Sequence, residues 1–372
     1  MELRKILHIP NYYPPHIGGI EDVCHSIVAG LPGYDHQVIC FNDKKYTEKD
    51  VFEGVKVIRT SVVKKLFSQS ISFSFLKELR QIFKDFNPDI VHFHTPNPLS
   101  SVYLLLAIPK NTKLIIHWHS DIVEQGLLYV FYHPIEKMLL KRADKILVTS
   151  PSYLSASKPL RDWNKKAEVI ANTINTEKLQ KKEGDEAEIQ KIKDLYGGKK
   201  IIFTFGRHVP YKGLKYLIEA LPLISDDAVV VIAGKGPLTD KLKKSTTYPS
   251  VYFTGRLSDD ELRYYLYASY LFAFPSITRN EAFGVALAEA MYCGLPSVTF
   301  TIPGSGVNWV SVDKLTGIEV ENSNTEKLAD AINQLIKTPS LRDELGVNAF
   351  NRACEEFTVD AIEEKLTNLY KL

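Results

Sequence analysis

The stretch Phe274–Phe300, FPSITRNEAFGVALAEAMYCGLPSVTF, decides the fold. The apolar run Leu271–Phe274 at its start predicts a buried strand, and Thr278–Glu281 a polar turn. Gly284 then opens a helix on whose spacing Val285, Leu287, Ala288, Met291 and Tyr292 recur. Gly294 and Pro296 stop that helix, and Ser297–Phe300 reads as the next strand. Two glutamates are set around the helix start. Glu281 lies in the turn beside the backbone N–H groups of Phe283, Gly284 and Val285, and a helix N-terminus of this kind is a ready anion site. Glu289 follows after seven intervening residues. A carboxylate there can accept paired hydrogen bonds from a vicinal diol, as acidic residues do with ribose hydroxyls. Most helix glutamates are solvated-face residues. Glu289, however, has small apolar neighbours in Ala286, Ala288 and Ala290, and a carboxylate among them needs a partner.

Glu281-Ala-Phe-Gly284, followed by Glu289-Ala-Met and Cys293-Gly-Leu-Pro296, resembles the E-x7-E motif of retaining glycosyltransferases of family 4. The resemblance implies an α/β chain of the GT-B type: two Rossmann-like, doubly wound parallel-sheet domains facing each other across a cleft. It also implies a nucleotide-sugar donor.

Other features agree with a large soluble enzyme. A chain of 372 residues can form two domains with full cores. Its 45% apolar and 24% charged content is ordinary for a globular protein, and a net charge of +2 does not suggest nucleic acid as a partner. The charge is uneven: residues 1–180 hold 23 basic against 18 acidic side chains, the rest 23 against 26. The first half therefore favours an anionic surface. Neither a secretory signal nor a run long enough to span a bilayer is visible, so a cytoplasmic location is expected. Cys24, Cys40, Cys293 and Cys354 form no C-x-x-C pair and read as buried small residues in a reducing compartment.

Along the chain, short apolar strands alternate with helices. Lys5–Ile9, His36–Cys40, Val55–Arg59, Asp89–His94, Lys113–His117, Lys145–Thr149 and Val169–Ala171 read as strands of a first sheet. The charged, Gly-Gly-ended stretch Gln180–Lys200 marks a boundary. Ile201–Phe205, Val229–Ala233, Val251–Thr254, Leu271–Phe274, Pro296–Phe300 and Gly317–Val320 make a second sheet. The expected domains are 1–178 for the acceptor and 179–356 for the donor. A closing helix, 357–372, resembles the family segment that crosses back onto the first.

Gly206–Gly213, GRHVPYKG, follows a strand and precedes a helix, which outlines a phosphate site at a strand's C-terminal end. Arg207 offers a forked donor and Lys212 a point charge. The segment resembles the family motif whose Arg and Lys hold the nucleotide diphosphate. By the same resemblance Gly234 and Gly236 of Gly-Lys-Gly-Pro lie near the nucleotide, Arg256 and Leu257 near the base, and Gly18 and Gly19 near the donor phosphates or the acceptor. His119, just before Ser-Asp, is expected near the transferred sugar. Asp121 either orients an imidazole or caps a helix, and of His92 and His94 one is expected in the sheet's packed face. The Pro303–Trp309 loop resembles loops of bacterial O-antigen and capsule enzymes. The common Asn-Gly-x-Asp turn is absent, Asn172-Thr173-Ile174-Asn175 standing there. No D-x-D metal motif occurs, and no metal or other cofactor is expected.

The expected function is retaining transfer of a sugar from a GDP- or UDP-linked donor, GDP-mannose among them, to a glycan or polyprenyl-diphosphate-linked acceptor. His119, Glu281, Arg207 and Lys212 are the catalytic candidates; Phe283, Gly284, Val285 and Glu289 join them in donor binding. A non-catalytic nucleotide-sugar binding protein, a GT-B phosphorylase and a GT-B epimerase are the alternatives. Val62–Lys84 interleaves Lys64, Lys65, Lys77, Arg80 and Lys84 with Phe67, Phe73 and Phe75. It reads either as a basic amphipathic face for anionic membrane at the inner side of the cell or as a core helix with a solvated basic side.

Overall fold

The structure, a computed structural model, describes residues 3–16, 18–66, 69–122, 126–246 and 248–371. It comprises two compact units, Met1–Thr173 with Ile362–Leu372, and Ile174–Ala361.

The first unit is built on β1 (Lys5–Ile9), β2 (Asp35–Phe41), β3 (Glu48–Phe52), β4 (Val55–Thr60), β7 (Ile90–Thr95), β8 (Lys113–Trp118), β9 (Lys145–Val148) and β10 (Ala167–Val169), with β5 (Lys64–Leu66) and β6 (Gln69–Ile71) forming a separate hairpin. The eight sheet strands run in the order β10-β9-β8-β7-β1-β2-β4-β3, all parallel except the β3–β4 pair. β3 is an edge strand exposed along most of its length, so it carries no apolar run to betray it in the sequence. Its hairpin turns on Glu53 and Gly54, both at positive φ, the geometry of tight two-residue β-turns. The strand expected at Val169–Ala171 sits two residues earlier. His92 and His94 are two apart on β7, so both project from one face of the strand, and both are fully buried; the expectation that only one would be packed is corrected by the period of two.

The helix Ser74–Asp85 buries Phe75, Leu79, Ile82 and Phe83. Its exposed side carries Lys77, Arg80 and Lys84. Phe73 just before it is exposed, and Phe67 lies outside the described residues.

The second unit has six strands, β11 (Lys200–Phe205), β12 (Ala228–Ala233), β13 (Val251–Gly255), β14 (Leu271–Phe274), β15 (Ser297–Phe300) and β16 (Gly317–Val320). They are all parallel, in the order β13-β12-β11-β14-β15-β16. β12, AVVVIA, is buried at every position, as a parallel strand covered on both faces must be. The order reverses between β11 and β14, and the loops leaving these neighbours diverge to opposite faces; ligands of open α/β sheets bind in that crevice. The core of this unit gathers Leu217, Val230, Ile232, Ala273, Val298 and Ile332, among others.

The charged stretch after residue 180 carries the helix Asp185–Leu195 and is tied into the second unit by a buried ion pair. Arg263, 1% exposed, donates from Nε to Asp185 Oδ2 at 2.7 Å and from a terminal nitrogen to Oδ1 at 3.1 Å, and adds Asp260 at 2.6 Å. Among the described residues no helix is long and apolar enough to cross a membrane.

Candidate functional site

At the switch point of the second unit the β11 and β14 loops are interlocked. Gly213 caps the helix Leu214–Ala220 at φ 61°, and a Cβ there would lie 2.0 Å from the carbonyl oxygen of Pro275. The Ile277 amide donates to Tyr211 O at 2.9 Å. The β12 loop closes on the same place: a Cβ on Gly234 would meet Gly206 O at 2.0 Å. Only glycine lets these backbones approach so closely. Gly236 packs on the His208 backbone, and the Leu238 amide donates to His208 O at 3.1 Å.

Lys212 Nζ, at the end of the β11 loop, sits 2.5 Å from Glu281 Oε2 in the β14 loop, with both side chains largely buried. Ser276 donates to the same oxygen at 3.1 Å. The ammonium also lies 4.8 Å from the Phe274 ring centre. Burial alone pulls the Lys212 pKa down; Glu281, then Tyr211 and Glu289, more than reverse that, so it is held above its ordinary value. The two glutamates of the sequence pair thus act on one cation. Arg207, by contrast, is exposed and enters no ion pair among the described residues. Gly206, Arg207, Lys212, Phe274, Pro275 and Ser276 line a small pocket there.

Gly284 caps the helix Val285–Tyr292 at φ 93°. Phe283 is 2% exposed and packs against Trp309 and Phe357, so only its backbone remains for a ligand. Val285 and Glu289 are half-buried. The loop after β15 is pinned to this segment: Ser305 donates to Glu281 O and the Gly306 amide to Ala282 O at 2.8 Å. Arg256 is exposed and Leu257 half-buried at the end of β13.

In the first unit the order reverses between β1 and β7. Gly18 and Gly19 begin the helix after β1, and Asn11 of that loop donates to Pro96 O after β7 at 3.0 Å. His119 follows β8. It is buried, and its Nε2 meets His94 Nδ1 at 3.0 Å. Asp121 accepts from the Trp118 indole at 2.9 Å and the Ser157 hydroxyl at 2.6 Å. His94 holds the position that the sequence offered to Asp121.

His119 belongs to a larger array. His8, His92, His94 and His117 are all fully buried, and His36 nearly so, with ring centres 4.0 to 5.4 Å apart along the run His92–His94–His117–His119. Burial first, then neighbouring imidazoles, keeps His8, His92, His94 and His119 well below the ordinary histidine range; burial lowers His117 to about 3. The trios His8/His92/His94 and His94/His117/His119 each bring ligand nitrogens within 4.8 Å of one another. The rings of the second trio are stacked within 11° to 30° of parallel, however. His94 Nδ1 and His119 Nε2 are hydrogen-bonded to each other, and His92 Nε2 meets His117 Nδ1 at 3.3 Å, so the array reads as a neutral, hydrogen-bonded stack.

A family model described as "Glycosyltransferase Family 4" matches residues 17–178, and one described as "Glycosyl transferases group 1" matches residues 185–352. The D-rhamnosyltransferase WbpZ of Pseudomonas aeruginosa is 30% identical over 95% of this chain and 92% of its own. The chain belongs to glycosyltransferase family 4. This family 4 enzyme is also 29% identical, over 98% of both chains, to the O-antigen chain mannosyltransferase C of Escherichia coli. The fold is GT-B: the Anabaena protein Alr3699/HepE, solved in complex with UDP and glucose, matches over 99% of this chain and 100% of its own with a TM-score of 0.79 at 19% identity.

Two residues of this glycosyltransferase escaped the sequence reading. His208 stands inside GRHVPYKG, where its Nε2 donates to Ala233 O at 3.3 Å and its Nδ1 accepts from Thr239 at 2.9 Å, tying the β11 and β12 loops. Its neighbours in sequence carry no signal of this, because the partners lie 25 and 31 residues away. Glu21 folds over Gly18, and burial pushes its carboxyl up to about 7 against backbone hydrogen bonds from Glu21 and Tyr12. His94, which the sequence offers beside His92, is the one of the two that meets His119.

Proposed function

We propose that this glycosyltransferase moves a sugar from a nucleotide-sugar donor to a glycan or polyprenyl-diphosphate-linked acceptor with retention of anomeric configuration, in the synthesis of a cell-surface polysaccharide at the cytoplasmic side of the membrane. The observation that carries it is the Lys212–Glu281 pair at the switch point of the second unit, with Glu289 adding to the field at the same ammonium. The name of one relative, a mannosyltransferase of O-antigen, makes GDP-mannose the first donor to try.

In this reading Lys212 and Arg207 meet the diphosphate. As the bond from the anomeric carbon to the phosphate oxygen breaks, negative charge grows on the leaving group, and fixed cations aimed at it lower the barrier most. The helix N-terminus at Gly284 adds partial positive charge. Glu281, held by Ser276, contacts the donor sugar, and Glu289 takes the ribose diol. His119 supplies a hydrogen bond near the reacting carbon. The acceptor hydroxyl attacks the face the phosphate leaves, and its proton passes to the departing phosphate oxygen, so atoms and charge balance without an enzyme nucleophile. Two cationic side chains take the part that a carboxylate-held metal plays elsewhere, so no divalent ion is required.

The test is NMR of the product made from GDP-mannose and a polyprenyl-diphosphate-linked glycan, with UDP-glucose in parallel. The donor's anomeric configuration should be kept; an inverted product would overturn the mechanism, and donor binding with neither transfer nor hydrolysis would favour a non-catalytic reading.

A further inference from the structure

The helix Gly126–Arg142 of the first unit is apolar on two sides. One side is the packed one, with Glu136, Leu139 and Leu140 at 1% exposure or less. The other is open: Val130 is 66%, Phe131 76% and Met138 59% exposed, and Pro134, Lys137 and Lys141 are exposed with them. At about 100° per residue these six positions fall within an arc of about 120°. The adjoining helix Pro98–Ala107 adds Leu106, 61% exposed, and Lys110 lies just beyond it. A helix side facing water is ordinarily polar. Clustered exposed apolar side chains on one mark an interaction surface.

The charge says which partner fits. Among the described residues from 98 to 143 no aspartate or glutamate is exposed, and none of Lys110, Lys137 and Lys141 enters an ion pair. Two copies of this chain meeting through the patch would set these lysines near one another across the two-fold, which costs rather than stabilises. An anionic lipid surface takes both parts at once: large apolar side chains enter the boundary between headgroups and acyl chains, and ammonium groups meet lipid phosphates. We infer that this face of the first unit docks on anionic membrane, with Phe131 and Met138 inserted and Lys110, Lys137 and Lys141 around them. The basic side of Ser74–Asp85 offers less apolar surface, since Phe75 and Phe83 are buried and Phe73 alone is exposed beside it. The inference deepens the proposed lipid-linked acceptor, yet it stands on geometry that does not involve the donor site.

Co-sedimentation of the full chain with phosphatidylglycerol–phosphatidylcholine vesicles, and with pure phosphatidylcholine vesicles, tests it. Wild-type protein should partition strongly to the anionic vesicles and weakly to the neutral ones. Phe131→Ser with Met138→Ser should reduce anionic partitioning about tenfold or more. Lys137→Ala with Lys141→Ala should reduce it about 25-fold, at about fivefold per lysine, and added salt should erode what remains. All four positions are at the surface, so thermal unfolding should match wild type. Equal binding to both vesicle types, or unchanged binding by both double variants, would overturn the inference. So would a wild-type dimer in sedimentation velocity that Phe131→Ser with Met138→Ser converts to monomer, since a second copy would then cover the patch. Donor-induced thermal shift, measured on the same variants, should equal that of wild type; its absence in wild type would count against the glycosyltransferase mechanism and leave the vesicle result standing.

Discussion

Acidification from pH 7 to 5.5 should weaken the first unit far more than the second. His8, His92, His94 and His119 are kept neutral well below the ordinary histidine range, and His117 down to about 3. In the unfolded chain each would titrate near 6.5. A base whose folded pKa is depressed leaves stability whole above the unfolded value and removes it as pH falls below that value, because only the unfolded chain takes up the proton. At pH 5.5 each such histidine costs about 1 kcal/mol relative to pH 7, and the five together about 5 kcal/mol. The result does not depend on how far below 5.5 each folded value lies. Glu21 runs the other way: with its carboxyl at about 7, the folded state takes up a proton over the same interval and regains about 1.5 kcal/mol. Glu136, raised by burial, acts in the same sense. His36, also lowered by burial, adds about 1 kcal/mol at most, so the net loss for the first unit is about 3–4 kcal/mol, a large part of a typical domain's stability. The second unit has His208, lowered by burial, and should lose about 1 kcal/mol at most. Urea unfolding followed by tryptophan fluorescence separates the two. A Trp309→Phe variant leaves Trp118 and Trp163, both in the first unit, as reporters; Trp118→Phe with Trp163→Phe leaves the second. Equal losses in the two units, or a first unit as stable at pH 5.5 as at 7, would refute the neutral stack.

Lys212→Ala and Arg207→Ala should each lower turnover roughly ten- to a thousandfold while weakening donor binding less, because the contact grows as charge develops; steady-state kinetics beside calorimetric titration reads the split. Wild-type activity should survive EDTA, and restoration by magnesium or manganese after its loss would contradict the metal-free mechanism. Gly213→Ala should lower stability by about 1–3 kcal/mol and displace the Lys212 loop, since the new Cβ would lie 2.0 Å from Pro275 O at a positive φ; thermal unfolding and donor affinity should fall together. Arg263→Ala should cost the second unit about 3–5 kcal/mol in urea unfolding, because it strands a buried Asp185 carboxylate.

The parallel sheets were legible because their strands are short, apolar and bounded by Gly and Pro. Leu271–Phe274 and Gly317–Val320 keep the bounds their sequence gives them. β3 was not legible, being an exposed edge whose existence depends on a turn. Lys212 and Glu281, 69 positions apart in the numbering, meet because β11 and β14 are neighbours, and strand order is a matter of global packing. The histidine stack was hidden for the same reason: its members come from β1, β2, β7 and β8, and each looks ordinary alone. On Ser74–Asp85 the helical spacing of Phe75, Leu79 and Ile82 marks the core side, and all three are buried, with Phe83 beside them.

Hydrogen exchange of the wild-type chain with saturating GDP-mannose, and with UDP-glucose in parallel, tests the donor site most directly. One of them should protect peptides covering Gly206–Gly213, Gly234–Pro237 and Ser276–Glu289 of the second unit, and Lys212→Ala should weaken that protection. Protection by neither donor in these segments, or by either one only in the first unit, would contradict the account.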